Sequence, residues 1–286
     1  VIGLCHGHFG YKRVAKVLKL SLKDVEAESI GFNHCIWMTS FRYKDEDAYP
    51  LLDNWIKTKA AIYWKNWHPG LWDVEMCPAA VDMYRRFGFF PIGDTVRSGG
   101  WKYHTNLETK KRWYGRRLGG VDSEIGWAQY QEELKKQSEK MFRIYNDSSI
   151  SVTREFPPYS SGEHHVQIID TIVNDRKGVF QVNIPNKGII DGIPDDVVVE
   201  AKAIIDKHGI QRIHVGTLPK RLMLLVIIPR MLRMEWALEA FLKGDKNSLL
   251  EWLLNDPRTK SLEQAEAAIK DILALPFNKE MAKHYK

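Results

Sequence analysis

Strand-like apolar runs that alternate with amphipathic helical stretches predict an α/β chain, a mixed sheet packed with helices. Three observations carry that expectation. Short apolar runs end just before Cys5 (Val1 to Leu4) and just before the Asn33-His34 pair (Ser29 to Phe32). Residues 7–20 and 78–88 repeat apolar side chains at helical spacing. The stretch GVFQVNIPNKGIIDGIPDDVVVEAKAIID, from Gly178, reads as paired strands joined by turn residues. With 286 residues, 44% of them apolar, the chain can fill a real core.

Composition narrows the function classes. The three cysteines, Cys5, Cys35 and Cys77, have no framework spacing, so a disulfide scaffold is not expected and a reducing compartment is. The longest apolar run, Leu222 to Ile228, is too short to span a bilayer, and no charged-then-apolar leader is present. A cytoplasmic protein without a membrane partner is the resulting expectation. The net charge of +6 is spread among interleaved acidic residues, as on a solvated surface, so nucleic acid is not an expected partner.

Taken in order, Gly7 and Gly10 after the cysteine serve either a close backbone approach to a ligand or an ordinary turn. Val14, Val17, Leu18 and Leu20 then form the stripe of a first helix, and Ser21 to Asp24 a capped turn. Ile30 to Tyr43 alternates as strands with Asn33 and His34 at a break. Tyr43 to Trp64 is predicted as one amphipathic helix with Pro50 in its first turn. Lys65 to Trp72 is a loop whose Trp67, His68 and Trp72 either line a sugar or belong to the core. A helix over Pro78 to Gly88 leads into FGFFPIGD.

From Ser98 to Leu118 cations and aromatics interleave, which suits a solvated loop, a wall over an anionic sugar or a single-strand nucleic-acid surface. Asp122 to Asn146 is predicted as a long helix, and another starts from a cap at Ser161. Asn183 and Asn186 are expected to hold tight turns. Thr217 to Lys243 is expected as a helix kinked at Pro229, followed by helices over 247–255 and 262–275.

Cys5 and His34 are soft metal ligands, each following an apolar run. If those runs are neighbours in one sheet, a thiolate and an imidazole emerge together as half of a metal site. Alone, Cys5 reads equally as a buried core thiol.

The motifs go further than this pair. GLCH at 3–6, GFNH at 31–34, DAYPLL at 47–52, FGFFPIGD at 87–94 and VNIPNKGIIDGIPDDVVVE at 182–200 together resemble glycoside hydrolase family 4, the NAD- and manganese-dependent glycosidases. The resemblance implies a fold related to the lactate and malate dehydrogenases, with 1–286 as the C-terminal metal- and substrate-binding catalytic domain. It also implies an upstream NAD-binding Rossmann domain outside this chain. In keeping with that, no GxGxxG follows a strand, and the glycines between Gly115 and Gly120 are interrupted by arginines.

By the same resemblance, Cys5 and His34 are the ligands of Mn2+ or another divalent metal. Asp94 is the base that removes the proton from sugar C2 after NAD has oxidised C3, His6 helps to protonate the leaving oxygen, and Asn33 meets a sugar hydroxyl. The Cys-His-Gly-His run is similar to the α-glucuronidase branch, with α-glucosidase and α-galacturonidase as alternatives, and Arg97 is the nearest arginine for a substrate carboxylate. The implied partners are a small α-glycoside or uronide and further copies of the chain in a homodimer or homotetramer. Two other classes remain on the residues themselves. One is a zinc enzyme or module built from Cys5, His6, His8, His34 and Cys35, which lacks CxxC and HExxH; the other is a basic, aromatic-rich nucleic-acid binder.

Overall fold

The protein is described here by a computed structural model covering residues 1–99, 103, 105–159, 162–256 and 258–286, without the side chain of His6. The chain divides into two compact units, Val1–Gly216 and Thr217–Lys286. The first unit is built on a seven-stranded sheet flanked by helices, in line with the α/β expectation.

Strands β1 (Val25–Phe32) and β2 (Cys35–Tyr43) form a hairpin closed by the two-residue turn Asn33-His34. Beyond β2 lie β3 (Glu46–Asp47) and β4 (Phe90–Ile92), both paired with it. On the far side of β1 come β6 (Val198–Asp206) and then β5 (Gly178–Pro185), with β7 (Gly209–Arg212) added to β6. Each of these strand pairs is antiparallel.

Burial follows the pleat. Glu26 and Glu28 on the outer half of β1 are exposed, whereas Cys35, Ile36, Trp37 and Met38 are buried in succession, so this end of the sheet is covered on both faces. Each of the fully buried Phe32, Trp37 and Phe41 contributes roughly 2–3 kcal/mol of hydrophobic stabilisation.

Helices α1 (Tyr11–Val17), α2 (Tyr49–Thr58), α3 (Ala60–Asn66) and α4 (Pro78–Phe87) follow from apolar spacing and start signals. Pro50 and Pro78 sit in first turns, where a missing N–H costs nothing, and Gly88 ends α4 in the left-handed conformation. The single helix expected over Tyr43 to Trp64 is three pieces instead. β2 runs on to Tyr43, Lys44 and Asp45 take left-handed φ values of 51° and 63° in a turn, and Lys59 leaves helical geometry at φ −125° between α2 and α3. After α5 (Thr95–Gly99) and α6 (Leu107–Tyr114), Ser123 caps the long α7 (Glu124–Asn146), its hydroxyl accepting from Gly126 N. The short α8 (Val152–Glu155) and α9 (His165–Val173) complete this unit; the cap expected at Ser161 lies outside the described residues.

The second unit is helical: α10 (Lys220–Leu222), a π-helical turn over Met223–Ile227, α11 (Ile228–Lys243), α12 (Lys246–Leu254), α13 (Leu262–Ala274) and α14 (Lys279–His284). The wide turn stands directly before Pro229. Proline has no N–H to return to the preceding turn, and the widened turn is how the helix absorbs that loss. Among the described residues no helix is long and apolar enough to cross a membrane.

Two sequence expectations change at the sheet centre. Val1 to Leu4 is not a strand; only Gly3 pairs, with Asn183, because the turn over His6–His8 takes the chain away from the sheet. Asn183 lies within β5 rather than in a turn, while Asn186 does hold the following loop, with its amide bonded to Ile190 and Ile193. Glu200 of β6 is fully buried at this point, opposite Gly31 and Asn183. Its Oε1 accepts from Gly7 N at 2.8 Å, and a Cβ on Gly7 would stand 2.3 Å from that oxygen. The close approach that Gly7 permits is therefore to an internal carboxyl.

Two stability predictions follow from these contacts. Gly31 has φ +150°, and a Cβ there would fall 2.1 Å from the Cys35 carbonyl oxygen across the hairpin. Gly31→Ala should therefore cost about 2 kcal/mol or more, from strain and overpacking together, read as a lower Tm; an unchanged Tm would refute the clash.

Burial pushes the Glu200 carboxyl up to about 7 from 4.5, against the opposing effect of the Gly7 hydrogen bond and the facing Cys5, Gln181 and Asn183 side chains. Between those two values the folded chain holds a proton that the unfolded chain has released. Stability from this group is thus complete below the unfolded pKa and declines as pH rises towards 7, by at most roughly 1.4 kcal/mol per pH unit. Urea unfolding across that window should show the decline in the parent protein and a flatter profile in Glu200→Gln. Equal slopes would sink the assignment.

Candidate active site

The candidate site grows out of the β1–β2 turn. Asn33 is exposed, and His34 takes φ 58°, a left-handed conformation that turns the chain back into β2. β4 pairs with the other edge of β2 at Ile36↔Ile92, and the antiparallel register carried two residues beyond each partner sets position 34 opposite position 94. Thr95 fixes this arrangement. Its buried hydroxyl accepts from Ile36 N at 2.7 Å and donates to Ile36 O at 2.8 Å, continuing the ladder where β4 has ended.

The result is a direct contact between two of the expected site residues. His34 Nδ1 lies 2.8 Å from Asp94 Oδ2, with the imidazole 43% exposed and the carboxylate 18% exposed. An ionised carboxylate can only accept, so Nδ1 carries the proton and, in a neutral ring, Nε2 carries the lone pair. Asp94 Oδ1 faces Arg97 NH1 at 3.2 Å, one helical turn on in α5. Arg97 in turn grips Asp122 with Nε at 2.6 Å and NH2 at 2.9 Å, and its guanidinium lies 5.1 Å from the Trp72 ring centre. Burial opposes the arginine's charge, yet the hydrogen bonds and charges of Asp122 and Asp94 outweigh it and hold its pKa above the ordinary value.

Cys5 reaches the sheet from the opposite side of β1. Its side chain stands with those of Gln181 and Asn183 against the Glu200 carboxyl, and Glu200 is paired through the backbone with Gly31, three residues before His34. Glu200 Oε2 and both amide atoms of Asn183 are buried without a hydrogen-bond partner. Such orphaned groups cost about 1–3 kcal/mol each and are kept where a bound polar group satisfies them. A soft thiolate, an imidazole oriented by a carboxylate, and these orphaned atoms suit a divalent metal that shares its coordination with substrate oxygens. Among the described residues no group of three or more His, Cys, Asp and Glu stands together to hold a metal.

The remaining candidates separate clearly. Cys35 is fully buried in β2. His8 is buried against His164, 4.7 Å between ring centres, with Glu163 at 3.5 Å, and burial lowers its pKa. The side chain of His6 lies outside the described residues. Trp67 stacks on Tyr63 with its indole nitrogen buried, whereas Trp72 is 49% exposed beside Arg97. Sequence reasoning passed over Thr95, Asp122 and Glu200 as site residues. A lone carboxylate in the apolar run VVVEAKAII was a usable signal for Glu200; nothing local marked Asp122.

Comparison with known proteins bears on the family and the fold. The family profile described as the family 4 glycosyl hydrolase C-terminal domain matches residues 29–259. An α-galacturonidase of Lachnoclostridium phytofermentans is 22% identical, and one of Thermoanaerobacterium saccharolyticum 27% identical, each over 95% of this chain. The chain spans 59% of the length of both relatives. A 6-phospho-β-glucosidase of Thermotoga maritima, solved with manganese, NAD+ and glucose-6-phosphate, superposes with a TM-score of 0.66 at 20% identity, covering 99% of this chain and 60% of that one. With the profile matching residues 29–259, most of its length, the chain belongs to the C-terminal domain family of the family 4 glycosyl hydrolases.

Proposed function

We propose that this chain is the metal- and substrate-binding part of an NAD- and Mn2+-dependent α-glycosidase that acts on uronides. The observation that carries the reading is the His34–Asp94 pair, in a chain of this family. Support for the cofactors comes from the Thermotoga maritima structure, and support for a uronide from the names of the relatives.

Cys5 and His34 would hold the metal, His34 through Nε2. When bound, NAD would carry a hydride from sugar C3 and back, and the metal would draw charge from the substrate's hydroxyl oxygens. The chain's own residues do the proton work. Asp94, as the carboxylate base, takes the proton from C2. The C1–oxygen bond then breaks with its electron pair leaving on the aglycone oxygen, which His6 protonates. Water adds at C1 as the proton returns to C2. Asn33, exposed beside His34, offers an amide donor and acceptor to a hydroxyl. Arg97 is already matched by two carboxylates, so the uronide assignment does not rest on it.

The test uses the full-length protein with nitrophenyl α-galacturonide, α-glucuronide and α-glucoside, in the presence of NAD, Mn2+ and a thiol reductant. Turnover of a uronide should require all three additions, and Asp94→Asn should lower kcat by roughly 10²–10⁴-fold. In D2O the released sugar should carry deuterium at C2. Turnover that persists without NAD, or a product without the label, overturns the reading.

A further inference from the structure

We propose that Asp122 is a positioning residue for the metal-binding imidazole, acting through Arg97 and Asp94. The inference rests on the reading of His34 as a ligand and extends it to a residue on a separate segment. Four charged or polar side chains form one unbroken line: Asp122 to Arg97 at 2.6 and 2.9 Å, Arg97 to Asp94 at 3.2 Å, and Asp94 to His34 at 2.8 Å.

Each link is geometrically demanding. Arg97 meets Asp122 through two parallel N–H groups, the fork geometry that fixes a guanidinium plane, and Trp72 faces that plane. Asp94 receives Arg97 on one oxygen and His34 on the other, so the arginine's position sets the tilt of the carboxylate. His34 is 43% exposed, and a ring that open would sample several rotamers if nothing held its inner nitrogen. Asp122 itself sits just before Ser123, whose hydroxyl donates to the Leu118 carbonyl and accepts from Gly126 N, so its backbone is anchored at the start of α7.

Removing the Asp122 carboxylate takes away the fork that fixes the plane of a guanidinium only 18% exposed. Arg97 then re-seats against Asp94 with a different set of donors and turns the carboxylate off His34. The imidazole then loses its orientation, and loss of such outer partners typically weakens metal binding 10–100-fold.

The experiment is an Mn2+ titration of the full-length, NAD-bound protein, followed by the electron paramagnetic resonance signal of free Mn2+. Asp122→Asn should weaken Mn2+ binding by about 10–100-fold, with NAD affinity close to the parent. Arg97→Lys, which keeps the charge and loses the fork, should weaken it comparably and serves if Asp122→Asn does not fold. The double variant Asp122→Asn with Asp94→Asn should bind Mn2+ no more weakly than Asp94→Asn alone, since both changes break one line.

Unchanged Mn2+ affinity in Asp122→Asn or in Arg97→Lys overturns the proposal while leaving the metal assignment standing. Independent, multiplying losses in the double variant overturn it as well. Mn2+ binding that survives both Cys5→Ser and His34→Ala overturns the metal assignment itself, and the role of Asp122 with it.

Discussion

Strand β2 is hydrogen-bonded to β1 along one edge and to β4 along the other, and that shared strand is the constraint on which the site depends. The turn at one end of the hairpin presents His34, and the exit from β4 presents Asp94 beside it. Neither side chain is placed by its own neighbours in sequence. Both are placed by the register of β2, which the buried hydroxyl of Thr95 extends past the last paired residue of β4. Gly31 belongs to the same constraint, because only a residue without a Cβ lets the hairpin close so tightly against the Cys35 carbonyl.

Around this register the chain buries polar groups that an inert core would not retain. Glu200 lies fully buried at the sheet centre, its Oε1 bonded to Gly7 and its Oε2 orphaned, next to an asparagine whose side-chain amide atoms are buried without a partner. The Arg97 guanidinium is set between two carboxylates at the rim. These groups lower stability in isolation and hold other groups still, the usual balance where a fold has to keep a reacting geometry in place. They also explain why Gly7 adjoins the Cys5 loop: it lets the backbone touch the Glu200 carboxyl, tying the thiol-bearing segment to the strand that pairs with Gly31.

Family membership and geometry bear on different questions. The matched profile and the superposition on a family member fix the fold and the domain. The arrangement around His34 adds what similarity at about 20% identity does not supply, namely which atoms of this chain face one another. In that arrangement Arg97 is an ion-pair partner of both Asp122 and Asp94.

The sequence by itself determined the alternation of helices and strands, the first-turn prolines of α2 and α4, the hairpin break at Asn33-His34 and the family motifs, because each is written in local spacing or in residue types that allow few backbone conformations. It did not determine the break of the 43–64 segment into a turn, the short strand β3 and two helices, since the pairing of Glu46 and Asp47 depends on the neighbouring strand β2. Nor did it reveal that Asn183 is a strand residue, that Glu200 lies beneath the Cys5 loop, or that Asp122 reaches the site through Arg97. Those facts were decided only by the tertiary structure, for one physical reason: hydrogen-bond partners and buried charges are matched across segments remote in sequence, where local propensity carries no information about who the partner will be.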